Sequence, residues 1–300
     1  MKPAKFEYVR AETAEHAVEL LGEADATARI LAGGQSLIPA LSARSITTSF
    51  LLLDIMRCPG LEDVSETPGE ITVGAACRQS RIELSTLVRQ SIPLLSEALG
   101  WVAMPQVRSR GTVVGCLAQA NTGGEVPVVS LALDAELNIV SRGGIKQRMP
   151  AKDIYAVETG TRLPTRSLIA SASFRTLAAG EGWGFSEVQL RAGHFALVCC
   201  AATLLLDENG RIRTARIALG GLTANPYRAV RAEKGLIGEA PATTHYAAQT
   251  ASAERPWPAR TDLHATGAFR AKVAVAAVAR ALTDARARCS KQTGATHDSA

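Results

Sequence analysis

Hydrophobic positions recur along this chain at two spacings, and their order sketches a mixed succession of strands and helices. Between Thr13 and Gly22, residues Ala14, Ala17, Val18 and Leu21 fall three or four apart, which places them on one helical face, with Thr13 or Glu15 positioned to serve the first amides. Ala28 to Leu31, Phe50 to Ile55 and Glu70 to Ala75 read as strands, punctuated by Cys58-Pro59-Gly60 and Thr67-Pro68-Gly69. Helical spacing returns over Ser80 to Val88, Pro93 to Trp101 and Val126 to Leu133. Ala135 to Val140 then reads as a strand, with Lys146 to Pro150 pairing to it across Gly143-Gly144, and the weakly apolar stretch Gly160 to Phe174 closes this part. Gly180-Glu181-Gly182 is the best linker candidate. Beyond it, Ala196 to Asp207 and Arg211 to Leu219 form the arms of a hairpin turned at Glu208-Asn209-Gly210. Lys272 to Arg288 is an amphipathic helix, and Ser290 to Ala300 is polar and aperiodic, the pattern of a disordered tail.

Two glycine-bearing segments interrupt this pattern. The first, Leu31-Ala32-Gly33-Gly34-Gln35-Ser36-Leu37, follows an apolar run; the second, Arg110-Gly111-Thr112-Val113-Val114-Gly115-Cys116, comes about eighty residues later. Adjacent glycines remove the Cβ atoms that keep an anion away from the main chain and allow φ > 0, so that successive amides converge on a phosphate. One such pair alone is most often an ordinary turn. Two brought face to face would clamp a dinucleotide pyrophosphate.

Composition narrows the class. In 300 residues, hydrophobic types make up 47% and charged types 20%, the balance of a globular chain with room for one large domain or two smaller ones. The net charge of +5 is spread among acidic residues without a basic run, which argues against nucleic acid as a partner. Six cysteines (Cys58, Cys77, Cys116, Cys199, Cys200, Cys289) lack C-x-x-C spacing, so no iron–sulfur or zinc site of this chain's own is expected. The first residues lack the apolar core of a signal peptide, and no apolar run approaches the ~20 residues of a membrane span, so a cytoplasmic protein with reduced thiols is expected. No nucleophile–base motif stands out. Arg108 and Arg110 suit either phosphate binding or ion pairing, and the isolated His16 and His194 read as capping or surface residues.

The order and spacing of many short motifs resemble the FAD-binding (medium) subunit of molybdenum hydroxylases, the carbon monoxide, nicotine, caffeine and xanthine dehydrogenase type. The resemblance runs from about Lys5 to Ala287. It rests on Phe6-Glu7-Tyr8, Ala32-Gly33-Gly34-Gln35-Ser36-Leu37-Ile38-Pro39, Asp54-Ile55, Val73-Gly74-Ala75 and Arg108-Ser109-Arg110-Gly111-Thr112. Further matches are Ala118 to Glu136, Gly193-His194-Phe195-Ala196-Leu197-Val198, Ala218-Leu219-Gly220-Gly221 and Asn225-Pro226-Tyr227-Arg228, with Glu233 and Leu236-Ile237-Gly238 after them.

That resemblance implies an α+β chain: a two-subdomain FAD-binding fold of the vanillyl-alcohol-oxidase type over 1–179, divided near 57/58, then a C-terminal α+β domain over 183–288 and a disordered tail over 289–300. FAD would be held by Ala32, Gly33, Gly34, Gln35, Ser36 and Leu37 together with Thr112, Val113, Val114, Gly115 and Cys116. Glu125 would bind a ribose or flavin-chain hydroxyl, Leu168 and Val102 would pack on the isoalloxazine ring, and Ser186 or Glu187 would occupy a position where relatives often carry Lys. The implied partners are a large molybdenum cofactor-binding subunit and a small subunit with two 2Fe-2S clusters, assembled as (αβγ) or (αβγ)2. Electrons would pass from those clusters to FAD and on to an outside acceptor.

The second segment departs from the family's usual Thr-Ile-Gly-Gly-Asn or Thr-Ile-Gly-Gly-Ser. A valine forced to φ > 0 there would carry strain of about 1–3 kcal/mol, and even at negative φ its branched Cβ would crowd a phosphate approaching the amide. Asn121-Thr122-Gly123-Gly124 also replaces the family's Asp-Pro-Ala-Ala. The substitutions at Val114 and Cys116 motivate an alternative, a flavin-free structural subunit. A third reading, a stand-alone flavin oxidase, lacks a candidate histidine for covalent flavin attachment and a substrate cap.

Overall fold

The computed structural model describes residues 3–24, 28–46, 49–155, 161–242, 246, 249–250, 253–254 and 259–295, with side chains through 289. The chain opens with β1 (Phe6–Arg10), α1 (Ala14–Glu23), β2 (Arg29–Leu31), α2 (Leu37–Ser42) and β3 (Phe50–Asp54). These strands form a parallel sheet in the order β1-β3-β2, with Phe6 opposite Phe50 and Leu31 opposite Asp54. Parallel neighbours cannot be joined by a tight turn, and α1 and α2 lie in the two crossovers.

A second unit follows: β4 (Val64–Thr67), β5 (Glu70–Gly74), α3 (Gln79–Leu84), α4 (Thr86–Ser91), α5 (Pro93–Leu99), α6 (Pro105–Arg108), α7 (Val113–Gln119), α8 (Glu125–Ala132), β6 (Glu136–Ser141), β7 (Ile145–Pro150), α9 (Ala151–Ile154) and β8 (Ser167–Arg175). Its five strands pair antiparallel in the order β4-β5-β8-β6-β7. The chain then builds β9 (Gly182–Val188), β10 (Val198–Leu206), β11 (Ile212–Gly220), β12 (Tyr227–Arg228), α10 (Val230–Leu236) and α11 (Gly267–Ala295), with the strands in the antiparallel order β12-β11-β10-β9.

The last sheet is buried on both faces. Cys200, Ala202 and Leu204 of β10 join a core with Ala274, Val278, Ala281 and Leu282 of α11. Phe185, Cys199 and Ala201 join the larger core built by the first two units. Helix α8 makes that junction: every one of its residues is buried, and it packs on α5 and on β10 and β11. A helix apolar all round has to be covered all round. The junction is also ionic. Asp134 accepts from Arg216 Nε (2.6 Å) and Arg228 Nη1 (2.9 Å) of the last sheet.

Several elements depart from the hydrophobic pattern. The helix expected over Ser80 to Val88 is two helices, because Ser85 leaves helical geometry (ψ 123°) and its hydroxyl accepts from Val88 N to cap α4. Strand β1 escaped the pattern because most of it is exposed. The linker candidate runs directly into β9, where Gly182 and Gly184 admit the backbone of α11: Cβ atoms on them would lie 1.9 Å from the Ala285 and 2.0 Å from the Ala281 carbonyl oxygen. Helix α11 starts before Lys272 and continues to Ala295, so residues 289–295 of the expected tail are helical. Its early start holds a fully buried arginine, Arg270, which donates to the Leu197 and Gly221 carbonyls and to both Asp262 oxygens. Gly160 and residues 296–300 lie outside the described residues.

Candidate functional site

The two glycine segments meet. Strand β2 ends at Leu31, and Ile55 N donates to its carbonyl (3.1 Å), so the chain leaves the sheet at a fixed point. Gly33 then passes so close to the second segment that a Cβ on it would lie 2.4 Å from Arg110 O and 2.6 Å from Gly111 Cα. Gly34 takes φ +72°, the left-handed region that glycine reaches without cost. Gln35 Nε2 donates back to Gly33 O (3.1 Å), and Ile38 N donates to Gly34 O (2.9 Å) to begin α2, which Ser36 and Leu37 enter. Ala32, between strand and loop, is half-buried.

From the other side, residues 110–113 are strapped to residues 77–79, where the chain enters α3. Gln79 N donates to Gly111 O (2.9 Å), Val113 N to Cys77 O (3.4 Å), and Arg78 Nη1 to Arg110 O. The expected second loop is the start of a helix. Thr112 is the N-cap of α7 and its hydroxyl accepts from Gly115 N (3.0 Å). Val113 and Val114 are helical and buried, and neither is among the residues with positive φ. The strain expected of Val114 is therefore absent: the position has helical geometry, in which a valine costs only a modest propensity penalty. Gly115 remains necessary in that turn, since a Cβ there would lie 2.7 Å from Thr112 Oγ1.

The other expected residues fall in several places. Leu168 lies buried in β8, the strand under α7, opposite Val140. Val102 is buried beside Trp101, whose ring lies 6.3 Å from that of Phe185 on β9. Arg108 is committed to structure: it makes a bidentate pair with Glu83 (2.8 and 3.1 Å) and donates to the Val102 and Ala103 carbonyls. His16 closes the start of α1, its Nδ1 accepting from Glu12 N (3.3 Å), and His194 is exposed.

Strand alternation separates Ser186 from Glu187. Ser186 pairs with Cys200, on the face covered by α11; Glu187 pairs with Cys199, on the face turned to the first two units. On that face Glu187 comes within electrostatic reach of Glu125, at the start of α8, and both are buried. Gly123, just before α8, completes the approach: its Cβ would lie 2.5 Å from Ala196 O. Burial pushes the Glu125 carboxyl up to about 7, against its own backbone amide. Burial pushes Glu187 up to about 8, with the charge of Glu125 adding and the bond from Gln189 opposing. Cys116, also buried from solvent at its thiol and near Glu125, is pushed up to about 12 although Gln79 Nε2 donates to it (2.9 Å).

Two polar groups here, Gln79 and Gln189, carry no mark in the sequence pattern. Gln79 binds Cys116, and among the described residues its buried Oε1 has no hydrogen-bond partner; Glu187 Oε2 is in the same condition. Gln189 holds Glu187 in place. Only the strand register, invisible in composition, brings Glu187 opposite Glu125. Among the described residues no cluster of His, Cys, Asp and Glu could hold a metal ion, and no helix is long and apolar enough to cross a membrane.

A glycine segment that leaves a parallel sheet is thus pressed on a second that starts a helix, so main-chain groups of both lie at one place. Comparison with known proteins identifies the family and its cofactor, FAD. Residues 4–174 match the FAD binding domain in molybdopterin dehydrogenase, and residues 183–285 match the CO dehydrogenase flavoprotein C-terminal domain. The chain belongs to this family, the FAD-binding medium subunits of molybdenum hydroxylases; it is an FAD-dependent oxidoreductase subunit. Among its relatives, the 6-hydroxypseudooxynicotine dehydrogenase complex subunit alpha of Paenarthrobacter nicotinovorans is 36% identical over 97% of this chain and 99% of its own length. The carbon monoxide dehydrogenase medium chain of Hydrogenophaga pseudoflava is 29% identical over 96% of this chain and all of its own. A solved carbon monoxide dehydrogenase from that organism superposes with a TM-score of 0.91 at 31% identity, covering 96% of this chain and 100% of the other. Quinoline 2-oxidoreductase from Pseudomonas putida 86 gives 0.89 at 30% identity, covering 96% and 99%.

Proposed function

We propose that this chain carries electrons within a molybdenum hydroxylase: it receives them from 2Fe-2S clusters on a small subunit and delivers them to an external acceptor. Substrate is hydroxylated on a large molybdenum cofactor-binding subunit, and the three chains assemble as (αβγ) or (αβγ)2. The observation that carries this reading is the contact of Gly33 with Arg110 and Gly111, which joins two amide-rich segments into one cradle. Likeness to complex subunits along almost the whole length supports it.

Ala32 to Leu37 and Thr112 to Cys116 hold the pyrophosphate and ribityl chain. Their bare main chain lets phosphate oxygens approach, and α2 and α7 each begin there, adding the positive ends of two short helix dipoles. Glu125 serves a hydroxyl or, when protonated, donates to an acceptor. Val102 and Leu168 supply apolar contacts for the ring. Of the pair Ser186 and Glu187, Glu187 faces the cradle side of the sheet. FAD, when bound, supplies the redox chemistry; the chain's residues position it and exclude water.

Val114 in helical geometry removes the backbone-strain argument for the flavin-free reading. Purification of this chain with its natural partners, followed by flavin, iron and molybdenum analysis, tests the function. FAD together with both metals supports it; isolation without molybdenum or iron–sulfur companions contradicts it.

A further inference from the structure

Where the second unit meets the last sheet, four large apolar side chains stand out of the surface. Trp101 and Met104, on the stretch between α5 and α6, are 44% and 53% exposed; Leu190 and Phe195, on the turn between β9 and β10, are 55% and 64% exposed. The two stretches touch. Gly193, between Leu190 and Phe195, takes φ +79°, and a Cβ on it would lie 3.1 Å from Met104 Sδ. The turn is held in place, with Gly193 N donating to Gln189 Oε1 (3.2 Å) and His194 N to Arg191 O (3.1 Å). Trp101 is held as well, its ring 6.3 Å from that of Phe185.

The charge around these side chains has one sign. Residues 99–124 and 188–206 contain no Asp or Glu. Arg108 is neutralised by Glu83, which leaves Arg110, Arg191 and His194, all exposed. Neither Arg110 nor Arg191 has an ion-pair partner among the described residues. An apolar centre with an unneutralised cationic rim complements a protein face that is apolar in the middle and acidic around it.

Resting on the electron-transfer reading above, we infer that this face docks the external acceptor, and that the acceptor is an acidic one-electron carrier protein. Val102, assigned above to the flavin ring, lies between Trp101 and Met104 in the chain, so a carrier seated here stands beside the cofactor. The openness of the face favours a protein over a small acceptor. A dinucleotide or quinone needs a concave site that encloses it, whereas these side chains project from two surface stretches.

Size favours a passing carrier over a permanent subunit. The four side chains offer on the order of 400 Å² of apolar surface. That suits an electron-transfer encounter, which buries less than about 1,200 Å² in all, and falls short of an obligate interface of about 2,000 Å² or more. A carrier that keeps its redox centre inside its own fold takes electrons, not hydride. Each encounter transfers one electron and reduces the oxidised centre of one carrier. Two encounters remove the pair held by reduced FAD, and its two protons pass to water.

The test uses the complex purified with its natural partners and, as probe, cytochrome b5, a haem protein with an acidic face. Calorimetric titration of the oxidised complex reads docking without turnover. Photoreduction of the complex followed by rapid mixing reads electron delivery to the haem. Docking is expected, and it weakens about tenfold or more between low and physiological salt. Arg191→Glu and Met104→Glu, one from each stretch, are each expected to weaken docking and slow delivery roughly tenfold. Subunit content and reduction of neutral benzoquinone stay unchanged in both. No docking, docking without delivery, docking indifferent to both variants, or equal docking of cytochrome b5 with its carboxylates amidated overturns the proposal. Loss of the small subunit in either variant makes the face an assembly interface and overturns it too. A wild-type complex that contains no FAD, or that cannot reduce benzoquinone after photoreduction, overturns the electron-transfer reading instead.

Discussion

Gly33 rests on the peptide joining Arg110 to Gly111, so closely that a Cβ would sit 2.4 Å from the Arg110 oxygen. Both sides of this contact are main chain, and Arg110 and Gly111 are tied in turn to Arg78 and Gln79. Neither side has a flexible end that can give way. Gly33→Ala is therefore expected to cost about 1–3 kcal/mol of stability and to lower the flavin content of the purified protein. Thermal melts and FAD released per chain measure the two effects; an unchanged flavin content would separate the contact from cofactor binding.

Val114 provides the opposite test. If this position were a loop that wanted glycine, Val114→Gly would improve flavin retention. It is instead a buried position of α7, exposed by only 3%. Removing the side chain and adding helix-breaking freedom is expected to destabilise by about 2–4 kcal/mol, with no gain in FAD affinity. Urea denaturation and FAD titration of the variant read these directly.

Asp134 ties the last sheet to α8. Burial works against its charge, but Arg228 and Arg216 prevail and hold its carboxyl below the usual range. A carboxyl lowered in the folded state stabilises above its unfolded value of about 3.9, and that contribution is lost as pH falls through the lower, folded value. Asp134→Asn is expected to destabilise by about 1–2 kcal/mol at neutral pH, discounted for partial exposure. The deficit relative to wild type should close in acid. A deficit that stays constant down to low pH would show that the arginines are not the cause.

The carboxyls of Glu125 and Glu187 carry the reverse sign. Both are raised, to about 7 and about 8. Their stabilising contribution is whole below the unfolded value of about 4.3 and is lost as pH climbs through the folded values. The flavin-free chain should therefore weaken between mildly acidic and mildly alkaline pH. Glu187→Gln should recover on the order of 1–3 kcal/mol at the alkaline end. Denaturant melts across that range check it, and a variant no more stable than wild type at alkaline pH would contradict the buried-carboxyl account.

The hydrophobic pattern revealed what burial repeats: α1, β3, β5, the β10–β11 hairpin and the stripe of α11. It revealed less where contacts rather than periodicity decide. Ser85 breaks one apolar run because its hydroxyl caps the next helix. Gly180-Glu181-Gly182 looks like a linker, yet Gly182, with Gly184 two residues on, is where a helix backbone touches a strand. Arg270 hides the first turn of α11 because a buried arginine interrupts an apolar stripe while satisfying carbonyls from two loops. At the site, the glycine segments and Thr112 were legible as chemistry, but the helical state of Val114 follows from a cap bond formed only after folding. The inward turn of Glu187 depends on strand register, which a sequence of short polar and apolar residues leaves open.

The central claim is that this chain, through the paired segments at Gly33 and Gly111, is the one that holds FAD. It is tested most directly by denaturing the complex purified with its natural partners and measuring released FAD against the amount of this chain. The account predicts equimolar FAD, lost in Gly33→Ala. A complex with molybdenum and iron in place but no FAD, or with FAD held by another chain, would contradict it.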